Sequence, residues 1–335
     1  MDAPTGENRI VDDETVDDEP AVVEVRDVVK EFTGRRGRRW WHRRPARPAL
    51  DGVSFTIRPG TVLGYAGGTG AGKTTLVDLI TGSAVPAGGT VTTLGLRPDA
   101  APEELGRRLG VVSGTRSQLW RDLAVDDSLR IVATAHGLSE SRWRIRRGEL
   151  VDRLGLASFV NLSAGQLSPG RRIRAETAAA LIHEPDLLLL DEPTLGLDVV
   201  SKERLRSFLQ DESRLYRRTM LLTTADLADV EQLCDRLLVV EQGRVIHDGD
   251  LPGLIARAGV ERVLVVDLTV TDHLLNDVPG ARLVEVEAGG LRQRLSFTPG
   301  TVPASRVLAD VAARSGIRDL TLVDPTLDDL IQRLL

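Results

Sequence analysis

The 335-residue sequence has one cysteine, two methionines and only 3% aromatic residues. Cys234 on its own cannot close an internal disulfide, which excludes a disulfide-stapled scaffold and suits a reducing compartment. A small, inert, buried thiol is the expected role for it. No run of about 18 or more apolar residues occurs, so a membrane-spanning helix is excluded by length. No charged, apolar and small-residue leader opens the sequence, and a cleaved signal peptide is not expected. Internal repeats of solenoid period are also missing. What is present is 41% hydrophobic content, enough for a sizeable core, over a length that suggests two domains.

The net charge of −6 is unevenly placed. Residues 1–20 hold eight acids and one arginine, and their few apolar residues predict a disordered acidic tail. Residues 35–47, RRGRRWWHRRPAR, carry seven arginines and no acid. A solvated basic loop is one reading. Contact with an anionic membrane surface, with Trp40 and Trp41 at the interface, is the other. No nucleic acid is expected as a partner.

Periodicity predicts strands at AVVEVRDVV, ALDGVSFTI and TVLGYAG, then a helix at TTLVDLITG and a strand in VPAGGTVTTLG. Residues 98–180 read as mostly helical, with interruptions at 113–118 and 160–168. LLLLDEP reads as a buried strand, KERLRSFLQDESRLY as a helix, TMLLTTA as a strand and DVEQLCDR as a helix. RLLVVEQGRVIHDG reads as a hairpin turning at Gln242-Gly243. The pattern changes near Pro252–Gly259, and residues 256–335 mix strands and helices as a small separate α+β domain would.

GGTGAGKTT comprises Gly67, Gly68, Thr69, Gly70, Ala71, Gly72, Lys73, Thr74 and Thr75. It fits G-x-x-x-x-G-K-[ST] between a strand and a helix. The glycines let successive N–H groups point inward at phosphate oxygens. Lys73 would bridge β- and γ-phosphates and Thr74 would hold Mg²⁺. The acidic half of such a site must end a buried strand. Asp191 would serve the magnesium, and Glu192 would orient or deprotonate the attacking water.

These motifs together resemble the ABC ATPases, over about residues 21–255. LLLLDEPTLGLD is similar to that family's metal strand, catalytic glutamate and D-loop. The resemblance implies an α/β P-loop fold of mixed β core plus a helical subdomain at about 98–180. It implies ATP and Mg²⁺ as cofactors, a second ATP-binding subunit paired head to tail, and a separate membrane permease. RSQLWRDL and the C-terminal domain are similar to a subgroup working with export permeases. The expected place is therefore the cytoplasmic face of the cell membrane. Two alternatives stay open: a regulatory ATP-binding module with no transport cycle, and a soluble ABC ATPase outside transport.

The family's signature, usually LSGGQ, sits on a helix N-terminus aimed at the partner's γ-phosphate. NLSAGQLSPGRRIRA offers two versions. A helix starting at Ser163 would meet Pro169 in its interior, at a cost of about 3 kcal/mol. Ser168 is a good N-cap with Pro169 at the favoured first position. Leu167 precedes Asp191 by the family's spacing of 24 residues. LSPGR is therefore read as the signature, with Ser168 and Gly170 facing phosphate. Phe32 is expected to stack on adenine, with Trp40 and Trp41 as rivals; Trp120 and Trp143 are not expected to be ligands. Two departures from the family stand out: Thr115 replaces the Q-loop glutamine, three residues before Gln118, and Ala225 replaces the switch histidine. Losing one donor aimed at transition-state charge costs about 100- to 1000-fold in turnover. ATP binding with weak hydrolysis is expected, and hence a heterodimer with an intact subunit.

Overall fold

The computed structural model describes residues 19–31, 48–68, 70–114, 117–270, 274–298, 302–323 and 325–335. Phe32, the basic segment 35–47, Thr69 and Thr115 lie outside these residues, as does the acidic run up to residue 18.

β1 (Val23–Lys30) and β2 (Leu50–Ile57) pair antiparallel. β3 (Val62–Ala66) is five buried residues leading into the glycine loop and α1 (Lys73–Ile80). β4 (Gly88–Thr93) returns beside β1, giving a three-stranded sheet β2-β1-β4. There follow α2 (Pro102–Gly106), β5 (Leu109–Ser113), α3 (Val125–Ala135), α4 (Glu140–Arg153) and α5 (Pro169–Leu181). β6 (Leu187–Asp191), α6 (Val199–Tyr216), β7 (Thr219–Thr224) and α7 (Leu227–Leu233) lead to the hairpin β8 (Arg236–Glu241) and β9 (Arg244–Gly249). α8 (Leu251–Ala258) precedes β10 (Arg262–Leu268), β11 (Ala281–Glu287), β12 (Arg292–Phe297), α9 (Ala304–Ala312), β13 (Ile317–Val323) and α10 (Leu327–Leu334).

The central sheet runs β5-β6-β7-β3-β8-β9, parallel except for β9. All residues of β3, β6 and β7 are buried, which is why they read as continuous apolar runs rather than alternating ones. Gly64 is required inside β3: a Cβ there would lie 2.7 Å from Cys234 Sγ. Burial pushes the Cys234 thiol pKa up, as expected of an inert thiol. The turn between β8 and β9 has Gln242 at φ 50° and Gly243 at φ 79°, the left-handed pair that suits a two-residue hairpin.

Two readings of the sequence need correction. The stretch 98–180 is not mainly helical throughout, because β5 is an edge strand of the central sheet. Five mostly apolar residues carry no period that separates strand from helix. The boundary at residue 255 falls inside α8, which starts at the Asp250 cap and ends at Gly259 in the left-handed conformation. The four-stranded sheet β11-β12-β10-β13 packs its own cluster around Leu264, Val266, Leu295, Phe297, Val307 and Val311. α10 does not join that cluster. Its Leu327, Leu330 and Ile331 pack on Leu254 and Ala258 of α8 and on Val239 of β8.

Candidate functional site

β3 ends against β8 so closely that a Cβ on Gly67 would lie 2.3 Å from the Val240 carbonyl oxygen. Gly72 caps α1 at φ 84°, and a Cβ there would meet the Ala49 carbonyl at 2.5 Å. No other residue type lets the chain turn from strand into helix along this path. The loop borders a cavity of about 630 Å³ that Gly70, Ala71, Gly72, Lys73, Thr74, Thr75 and Glu192 help to line. α1 opens onto it with unpartnered N–H groups, an environment that favours anions.

The Lys73 ammonium donates to the Gly67 carbonyl at 2.8 Å and pairs with Glu192 Oε1 at 3.1 Å. Thr74 Oγ1 donates to Asp191 Oδ2 at 3.2 Å. Asp191 closes β6 and is buried, and its other oxygen accepts from Thr223 Oγ1 at 2.6 Å. Parallel pairing of β6 with β7 puts Asp191 level with Thr223. Glu192 is held by its N–H, which donates to the Thr223 carbonyl at 3.0 Å, and its φ of 49° turns the chain out of the strand. A non-glycine residue in that region stores strain, which is common at functional sites. Two hard oxygens, from Thr74 and Asp191, side by side at the end of a phosphate loop fit a magnesium ion that draws its remaining ligands from phosphate and water.

α5 begins at Ser168, whose Oγ accepts from the Arg171 N–H at 3.4 Å, with Pro169 at the first helical position. LSAGQ forms only a short 3-10 turn, Ala164–Gln166, with no side-chain cap from Ser163. Ser168 and Gly170 do not line the cavity of their own glycine loop. Gly170 instead packs on the start of α6, where a Cβ would lie 2.2 Å from Ser201 Oγ. A second cavity, of about 340 Å³, lies between α5 and the site and is lined by Thr74, Asp191 and Glu192 on one side and Arg172, Ile173 and Glu176 on the other.

Ala225 is exposed in the bend after β7, beside a cavity of about 300 Å³ that Glu192 also lines. Among the described residues no histidine fills the gap. His183 Nε2 lies 2.9 Å from the Leu109 carbonyl, and His247 Nε2 lies 3.1 Å from that of Asp250. Gln118 is committed elsewhere as well, donating from Nε2 to the Val111 carbonyl at 2.6 Å. Trp143 is buried in the helical core and Trp120 is half exposed.

Sequence reasoning missed the residues that hold the acids. Besides Thr223, a buried network centres on Asp229, which accepts from Thr194 Oγ1 at 2.5 Å, Thr224 Oγ1 at 2.8 Å and Arg206 Nε at 2.7 Å. Paired threonines ending an apolar strand were the available signal. Glu176 on α5 was also missed. It is buried and accepts from Ser117 Oγ and from the Gln118 N–H at 3.0 Å, and burial is the main reason its carboxyl pKa is raised.

The ABC transporter family model matches residues 50–195. The ABC transporter ATP-binding protein NatA of Bacillus subtilis is 34% identical over 65% of this chain and 88% of its own length. The daunorubicin resistance ATP-binding protein DrrA3 of Streptomyces coeruleorubidus is 36% identical over 86% of this chain and 91% of its own. Among solved structures, an ATP-binding subunit of an ABC transporter superposes with a TM-score of 0.61 at 27% identity, covering 71% of this chain and 93% of that one. The chain belongs to the ATP-binding subunits of ABC transporters. Its activity class is that of an ABC-type ATPase, on the P-loop fold its sheet displays.

Proposed function

We propose that this chain is the ATP-binding subunit of a multi-subunit ABC exporter, and that it binds Mg-ATP tightly but hydrolyses it slowly. Gly67–Thr75 would cradle the phosphates, with Thr74 and Asp191 holding magnesium, whose chemistry is to neutralise charge on the β- and γ-phosphates. Lys73 now rests on Glu192. Phosphate oxygens would draw Lys73 away, freeing Glu192 to take a proton from water.

The observation that carries the reading is Ala225. It leaves an open cavity beside Glu192 where the family's switch histidine would stand. Thr115 in place of the Q-loop glutamine removes a second group. The chain would then pair head to tail with a second, intact ATP-binding subunit and lend it Ser168 and Gly170. A separate permease would anchor the pair at the cytoplasmic side of the membrane; no helix of the described residues is long and apolar enough to cross one. Export is supported by relatives such as the Nod factor export ATP-binding protein I of Sinorhizobium fredii, 35% identical over 85% of this chain. Residues 256–335 would act as an accessory unit tied to the ATPase through α10.

In the purified chain, Lys73→Ala should weaken ATP binding about 100-fold, the cost of removing a charge-assisted hydrogen bond from a phosphate site. Ala225→His should raise ATP turnover by about 100-fold by returning one donor to the site. Turnover at an ordinary ABC rate in the unsubstituted chain would overturn the reading.

A further inference from the structure

A lysine, Lys202, is part of the wall of the cavity beside Ala225. Glu192, Gly196, Lys202, Thr224, Ala225 and Asp226 line it, and Ala225 contributes no hydrogen-bonding side chain. Lys202 stands on the first turn of α6, whose start is fixed by the Asp198 side chain accepting from the Ser201 N–H at 2.9 Å. Its backbone position relative to the D-loop is therefore rigid. Its ammonium donates to Asp226 Oδ2 at 2.6 Å, its one partner among the described residues. An ammonium has three N–H donors, so two remain uncommitted.

Asp226 does not depend on Lys202. Arg206 Nη2 lies 3.0 Å from the same Asp226 oxygen, and the Ala228 N–H donates to the other at 3.0 Å. Lys202 can therefore leave Asp226 without stranding a carboxylate. The Lys202 side chain keeps 27% of its surface exposed, so the movement needs no local unfolding. Glu192 lines both this cavity and that of the glycine loop, so the two border the same carboxylate side chain.

We propose that Lys202 is a catalytic residue of this chain's own ATP site, its ammonium donating to γ-phosphate oxygens from the space the missing imidazole leaves. Lysine suits the task as a compact charge on a flexible four-carbon stem. It transfers no proton. The water oxygen bonds to the γ-phosphorus, the bridging oxygen departs with ADP, and Glu192 receives the water proton. Lys202 holds charge on the phosphoryl oxygens throughout. This rests on the reading that the glycine loop binds ATP, and it accounts for hydrolysis that is slow rather than absent.

The test compares Kd for Mg-ADP and for the β,γ-imido analogue of Mg-ATP by calorimetry on the full chain. Lys202→Ala should reduce the preference for the triphosphate about tenfold while leaving ADP affinity in place, the expected effect of one charged hydrogen bond. Lys202→Arg should keep most of the preference. Asp226→Asn retains an acceptor for the α7 cap but releases the ammonium, so it should raise the preference. Ala225→His in the Lys202→Ala background should restore it. An unchanged ratio in Lys202→Ala overturns the proposal. So does an equal loss of both nucleotides in Lys202→Ala and Asp226→Asn, which marks a purely structural ion pair. If the unsubstituted chain binds neither nucleotide, the ATP-site reading itself falls.

Discussion

A methyl group added at Gly170 would lie 2.2 Å from Ser201 Oγ and 2.7 Å from Ser201 Cβ. Both atoms sit on the first turn of a helix that the Asp198 cap holds in place, so little can give. Gly170→Ala should therefore lower stability by about 1–3 kcal/mol, read as a lower urea midpoint at unchanged m-value. An unshifted midpoint would mean that α5 and α6 slide apart freely. At this scale the phosphate loop was legible because its chemistry needs fixed residue types at consecutive positions. Lys73, Thr74, Asp191 and Glu192 do converge. Thr223 and Asp229 were not legible as parts of the site, because what makes them so is contact with residues some thirty positions away.

The two serines of NLSAGQLSPGRRIRA differ at the level of the element. Ser168 caps a thirteen-residue helix, whereas Ser163 precedes a three-residue turn and its side chain receives no hydrogen bond from it. Ser168→Ala should cost about 1 kcal/mol, and Ser163→Ala only a fraction of that, in parallel urea titrations. Equal losses would show that the cap does not hold α5. Proline chemistry made this helix start readable, since Pro169 is tolerated only at the first turn. β5 escaped notice because LGVVS is short and stands just before the loop that leads into the helices. α8 escaped for a different reason. Pro252 and Gly259 look like linker residues, yet they stand at the start and just past the end of an eight-residue helix, where those types belong.

For the whole molecule, one stability term depends on the histidine pair that joins the end of α3 to the end of α5. The His136 and His183 rings stack with centroids 3.8 Å apart at 17°. Burial, with His136 and the Arg218 and Arg146 guanidinium groups adding to it, pushes the His183 pKa down to about 4. Burial and Arg107 lower that of His136. The unfolded chain binds protons near pH 6.5 while the folded chain does not, so this contribution is complete above that pH. It is lost progressively as pH falls towards 4. The sensitivity of the unfolding midpoint to pH between 6.5 and 4 should diminish in His183→Gln; an identical pH profile would remove the pair from the account.

α10 has a consequence for synthesis. Leu327, Leu330 and Ile331 complete a cluster in which Val239, Leu254 and Ala258 are made roughly seventy to ninety residues earlier. At about 5–20 residues per second, a ribosome needs several seconds to cover that distance. During that interval the nascent chain presents an oily face with no cover. A chaperone that binds such surfaces would find its target here, and would lose it when α10 docks.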